Sequence, residues 1–177
     1  LLKLLLVAVF ITPFYVAIVY ALKSPEETMK TGLAFPKAIY WQNFTEAIEV
    51  SNFWVAAKNS LIITVVSVVI LMVVCSMAAY IIARNMRSKF FQSFYYVFLA
   101  AMMLPFQVVM LPLYVELKDL GMLNTRIGMI LTICGFQLAY NVFVYVGFVR
   151  GIPIEMEEAA YMDGAGRFYT FWKIVFP

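Results

Sequence analysis

The chain has 177 residues, of which 64% are hydrophobic and 13% charged, with a net charge of +3 and no histidine. Soluble domains are roughly 45–50% apolar and about 25% charged, so this composition argues for lipid as the solvent. The small, dispersed charge argues against a nucleic-acid partner, and its basic residues are read as reporters of membrane orientation.

Without histidine the commonest general base and the commonest metal ligand are missing. No GxxxxGK[ST] phosphate loop occurs either. The chain is therefore expected to carry no catalytic residue, no metal and no cofactor. Cys75 and Cys134 fall inside apolar runs without CxxC spacing and read as small packing residues.

Four uncharged stretches approach or reach the ~20 residues that a ~30 Å hydrocarbon core demands of a helix: Leu4–Leu22, Leu61–Ala83, Phe94–Val115 and Ile127–Val149. The expected fold class is an all-α, polytopic transmembrane helix bundle. The first stretch is too long for the apolar part of a signal peptide, and Leu22-Lys23-Ser24-Pro25 is a poor cleavage site. Residues 1–22 are read as a transmembrane helix, 23–58 as an extracytoplasmic loop, and 59–177 as a core transmembrane domain that closes on a cytoplasmic loop over 150–177.

In the outer loop, Asn43-Phe44-Thr45-Glu46 has the form of a helix N-cap with a glutamate at its third position, opening a short helix to about Val50. Trp41 and Trp54 suit the headgroup region. A docking element and an interfacial connector both remain open there. Asn43 also heads a glycosylation sequon, which matters only in a eukaryotic secretory pathway.

The second stretch carries small residues, Ser67, Cys75, Ser76, Ala79 and Ala83, that let helices approach closely. It is followed by "ARNMRSKFF", in which Arg84, Arg87 and Lys89 have no acidic neighbour. Positive residues concentrate on the cytoplasmic side, so this loop, the N-terminus and everything after Val149 are expected inside.

Pro105 and Pro112 in the third stretch remove helix hydrogen bonds and bend the rod. Such a helix is expected to be buried in the bundle, with Met103, Gln107, Leu111 and Tyr114 near one face. In the fourth, Gln137, Asn141 and Tyr145 fall four apart as a polar stripe. Hydrogen bonding between helices and lining of a hydrophilic path are both open for them. Gly147 and Gly151 form a GxxxG, read as packing.

The last segment changes character. Pro153 suits the first position of a helix. Glu155, Glu157 and Glu158 crowd its first turns, where the helix dipole favours carboxylates. Ala159 and Ala160 keep it narrow, and Gly164 and Gly166 stop it by allowing left-handed backbone. A second stretch runs from Arg167 to Phe176 before Pro177.

Glu158-Ala159-Ala160, three residues, Gly164, nine residues and Ile174-Val175-Phe176-Pro177 resemble the EAA loop of binding-protein-dependent ABC importers, written EAA-x3-G-x9-I-x-L-P. Phe176 replaces the usual leucine. "AAYIIARNMRSKFFQ", "MMLPFQVVMLPLYVELKDLGMLNTRIGMIL" and "VGFVRGIPIEMEEAAYMDGAG" are similar to the carbohydrate-uptake, maltose-type branch.

The resemblance implies a type I importer transmembrane domain of six spans, paired with a second permease subunit. It further implies two ATP-binding-cassette ATPase subunits and an extracytoplasmic solute-binding protein, all in a bacterial or archaeal inner membrane. Glu158 would meet a basic residue of the ATPase. Ala159 and Ala160 would allow close seating and Gly164 the bend, with Met156 and Asp163 in the same contacting set. Gln107, Gln137, Asn141 and Tyr145 would face the substrate path. Two family spans would follow Pro177, so these residues are expected to be part of a longer subunit that could not transport without them. A permease for another solute, a channel or scaffold subunit without an ATPase, and a membrane-embedded enzyme are the rival readings.

Overall fold

The computed structural model describes residues 2–177; Leu1, at the head of the predicted first-helix region, lies outside them. The protein is all-α, with no strand among the described residues. It divides into two compact units, one ending at Asn59 and the other spanning Ser60–Pro177.

The first unit opens with α1, Leu2–Ala21, which runs unbroken through Pro13. The predicted connector that follows is an ordered cap with two helices rather than one. In α2, Pro25–Thr31, the Ser24 hydroxyl accepts from the Glu27 amide, with Pro25 and two acids in the first turn. All three features favour a helix start. Lys23 is 1% exposed, and its ammonium donates to Thr31 Oγ1 at 2.9 Å and to the Gly32 carbonyl at 2.6 Å.

The expected N-cap role of Asn43 is corrected by α3, Gln42–Val50, in which Asn43 is already helical and Trp41 precedes the first turn. Its side-chain amide instead donates to the carbonyls of Ala21 and Lys23, at 2.9 and 2.7 Å. These carbonyls lie at and just beyond the end of α1, where intrahelical donors run out. The nitrogen that a glycan would need is thereby committed.

From there α4, Phe53–Arg84, carries the chain into the second unit. Its 32 residues make a rod of about 48 Å, with two further turns ahead of the predicted start at Leu61. Ser67, Leu71, Cys75, Ala79 and Ile82 are its buried residues, a one-sided stripe at spacings of three and four. They meet Val142 and Val146 of α7, Arg126–Gly151, with Cys134 and Leu138 at the margin. The small-residue reading of α4 describes this contact well. Both cysteines are free and pack here, Cys75 Sγ lying 3.8 Å from the Leu138 carbonyl and Cys134 Sγ 4.0 Å from that of Ser67. Gly147 and Gly151 do not pack within this chain: both are exposed, with open space where a Cβ would stand.

The third predicted span is not one rod. It is α5, Lys89–Met102, and α6, Phe106–Asp119, bent by 97° at a break just before Pro105. Proline holds the preceding residue away from helical geometry and donates no hydrogen bond, and Pro105 itself is extended, with φ −64° and ψ 138°. At 14 residues, α5 is about 21 Å long, short of a hydrocarbon core. Pro112 is accommodated inside α6 without a break. Neither helix has a fully buried residue, so the helices of this chain do not themselves supply the burial expected for this stretch. Met103 lies before the bend, so only Gln107, Leu111 and Tyr114 share a helix.

A Schellman closure ends α6. Gly121, at φ +66°, donates to the Lys118 carbonyl, and Met122 donates to that of Leu117. Thr125 then caps α7 by accepting from the Gly128 amide at 3.0 Å. A Cβ on Gly128 would fall on the Met122 carbonyl oxygen. Gly128→Ala is therefore expected to cost about 1–3 kcal/mol, read as a lowered unfolding temperature of the purified subunit. Gly135→Ala, which meets open space in the same helix, should be neutral or mildly stabilising.

Candidate functional site

The closing segment is a helical hairpin. Its first arm is α8, Ile154–Met162, preceded by Pro153 and carrying Glu155 and Glu157 in its first turn. Pro153 stands just outside the helix, one position earlier than its sequence placement. The arm ends in a second Schellman closure: Gly164 donates to the Tyr161 carbonyl at 3.0 Å and Ala165 to that of Ala160 at 2.9 Å. Gly164 has φ +82°, the left-handed conformation that glycine adopts without strain. Gly166 does not share it. Its φ of −77° and ψ of 160° are extended, and it opens α9, Arg167–Thr170. A turn of π-helix over Phe171–Val175 completes the second arm, a geometry often found at functional sites.

The two arms are held by different forces. The second is anchored by apolar packing. Phe171 and Val175 are 4% and 8% exposed and cluster with Val149, against Met77, Tyr80 and Ile152. On α8 only Glu157 and Ala160 are buried. Glu157 is met by Arg84, whose Nε and Nη2 each lie 2.6 Å from Oε1, while the Tyr80 hydroxyl donates to Oε2 at 2.7 Å. The remaining reach of Arg84 goes to the Ile152 carbonyl at 3.0 Å, at the end of α7. Arg84, read from sequence as a loop cation marking orientation, is thus an internal partner.

The residues named from the resemblance fall on two sides of α8. Met156, Glu158, Ala159, Asp163 and Gly164 are exposed and Ala160 is buried. Met156, Ala159, Asp163 and Gly164 border a groove of about 820 Å³ between the arms, closed on its far side by Tyr169, Lys173 and Ile174. Asp163 stands at the C-terminal end of the helix, where the dipole disfavours a carboxylate. Helix stability does not account for an acid at this position. Met162, at 88% exposed, adds an apolar side chain to a surface that has no need of one for folding.

The four residues assigned to a path are not brought together with this hairpin. Gln107 on α6 and Gln137 on α7 are exposed. Asn141 is half-buried, its amide donating to the Gln137 carbonyl at 2.8 Å, and Tyr145 packs at the margin of the α4–α7 core. Glu157 and Arg84 are the residues that sequence reasoning passed over. A signal was present, since Glu157 and Ala160 are three apart and so share the inward face, whereas Glu158 is exposed and borders the groove between α8 and α4.

The family model described as "Binding-protein-dependent transport system inner membrane component" matches residues 76–177, from within α4 through the whole hairpin. The chain belongs to this family. Among curated relatives, it is 38% identical over 168 residues to the "Probable starch degradation products transport system permease protein AmyC" of Thermoanaerobacterium thermosulfurigenes, covering 95% of this chain and 61% of the relative. It is 36% identical to the "Melibiose/raffinose/stachyose import permease protein MelC" of Bacillus subtilis (strain 168), covering 93% and 59%. In fold it matches a chain of the crystal structure of a bacterial ABC transporter involved in the import of the acidic polysaccharide alginate. There the TM-score is 0.83 at 22% identity, over 99% of this chain and 61% of that one. The 177 residues thus span about three fifths of the length of these relatives. As an inner membrane component, the protein is a membrane protein with the fold of an ABC importer transmembrane domain.

Proposed function

We propose that the chain is part of a permease subunit of a binding-protein-dependent ABC importer for a carbohydrate, and that α8 is the helix through which ATPase subunits drive it. The observation that carries the coupling role is the division of labour on α8. One face, Glu157 and Ala160, holds the helix to its own chain, while Met156, Ala159 and Asp163 are exposed beside a groove and Glu158 is exposed on the flank next to them. The names of relatives at 38% and 36% identity support sugar as the solute class.

In this reading the chain performs no bond chemistry. ATP draws two ATPase subunits together, the outward face of α8 follows its cleft, and the α4–α7 pair is displaced. Only a contact that differs between the open and closed ATPase can drive such a shift. A second permease subunit completes the path, a solute-binding protein delivers the sugar from outside, and lipid covers the apolar helix surfaces. The hairpin and the N-terminus lie in the cytoplasm. Gln107 and Gln137, with Asn141 and Tyr145 beside them, supply polar groups to the path.

The test is reconstitution of the complete subunit with its permease partner, ATPase and binding protein in proteoliposomes. Labelled maltooligosaccharides and raffinose serve as probes. Uptake of at least one sugar that requires ATP on the hairpin side and binding protein on the other is the expected result. A complete subunit that purifies without any nucleotide-hydrolysing partner and takes up sugar without ATP would overturn the reading.

A further inference from the structure

We infer that Tyr80, Glu157 and Arg84 form a brace that makes α8 and the ends of α4 and α7 a single moving body, and that Glu157 and Arg84 are positioning residues for transport. The inference rests on the coupling role proposed for α8 and adds how its displacement reaches the membrane helices.

The geometry joins three elements through two side chains. Arg84, the last residue of α4, places two nitrogens 2.6 Å from one oxygen of Glu157 and a hydrogen bond on the carbonyl of Ile152, which closes α7. Tyr80, one turn earlier on α4, occupies the other carboxylate oxygen at 2.7 Å and lies 3.3 Å from the Tyr161 hydroxyl of α8. Both oxygens of the carboxylate are therefore engaged from α4. A planar guanidinium that meets the carboxylate with one edge and the Ile152 carbonyl with Nη2 constrains direction as well as distance, which a single ammonium contact would not.

Within this chain, apolar packing holds α8 weakly. Of its nine residues only Glu157 and Ala160 are buried, and Ile154, Met156 and Met162 are 49%, 51% and 88% exposed. Along the side of α8 that faces α4 runs a groove of about 870 Å³, with Tyr80, Arg84, Ile154, Glu157 and Tyr161 among its lining and Glu158 at its border. A helix pulled by its outer face, with a groove along its inner one, would slide or roll if held by a methyl group alone. Burying an ion pair is commonly no more stabilising than apolar residues of the same size, so stability alone does not account for its choice here. Rigid transmission does: the pair converts a loosely packed helix into one with a fixed attachment.

The experiment uses the reconstituted importer described above and reads sugar molecules imported per ATP hydrolysed. A variant that merely lowers the amount of folded complex reduces uptake and hydrolysis together and leaves this ratio unchanged. E157Q removes the charge. R84M/E157L removes both charges and leaves neither buried alone, so it assembles even where the single variant fails. Both should retain the ATPase, because the outward face of α8 is untouched, and both should lower the ratio about tenfold, within the range of ordinary coupling energies. R84K, which keeps the charge without the fork, should give an intermediate ratio. A native ratio in R84M/E157L with the ATPase bound overturns the brace and leaves the importer reading standing. Absence of ATP-driven uptake in the unsubstituted complex overturns that reading and takes the brace with it.

Discussion

Arg84→Ala should destabilise the subunit by about 3–5 kcal/mol, the usual consequence of stranding one member of a buried ion pair. Glu157 is 3% exposed at its side chain and Arg84 16%, so the carboxylate relies on its protein partners, and water entering from the adjoining groove would place the loss toward the lower end of that range. What remains is a carboxylate with a single donor, Tyr80, and an Ile152 carbonyl deprived of its partner. The magnitude reflects the stranded charge and not the worth of the pair, which makes a second substitution informative. Arg84→Ala combined with Glu157→Gln should recover a large part of the loss, since a neutral amide costs far less to bury unpaired. Fluorescence-detected size-exclusion after graded heating of the detergent-solubilised subunit would rank the native, single and double variants. If the single variant melts with the native protein, the pair is not a buried one in the assembled membrane protein.

The apolar runs were long enough to be read as spans because lipid imposes one strong constraint, about 20 uncharged residues per crossing. That constraint says nothing about straightness. Pro105 and Pro112 carry the same local handicap, yet the chain turns through 97° at the first and runs on as a helix through the second. Proline's local handicap therefore does not by itself decide between a bend and a continuous helix. Asn43 shows the same limit. Its capping pattern is real, but a tertiary partner, the open end of α1, outcompetes the local one.

The hairpin was more legible because its signals are short-range. Pro153 at the entry, acids in the first turn and Gly164 at the exit act within a few residues of themselves. Which of two adjacent glutamates turns inward depends on how α8 is rolled against α4. That roll is fixed by Arg84, 73 positions away in sequence. A cation at the end of an apolar helix reads as an orientation marker until its partner is known.

Glu158→Lys should abolish retention of the ATPase and ATP-driven uptake while leaving the subunit folded. Glu158 is exposed and makes no contact that holds the hairpin, so its replacement should change stability by no more than about 0.5 kcal/mol. At the proposed interface the same change turns an attraction into a repulsion. Close charge pairs between proteins have coupling energies of about 1.5–7 kcal/mol, so even the lower end weakens association by an order of magnitude. Glu155→Lys is the matched control. It also reverses a charge on α8, in the first turn, where loss of the dipole interaction costs at most about 1 kcal/mol, but Glu155 is not part of the contacting set. The ATPase retained per subunit on affinity purification, followed by sugar uptake in proteoliposomes, should separate the two variants sharply. Equal retention in both would mean that the acidic character of α8, and not the outward face built around Glu158, is what the partner reads.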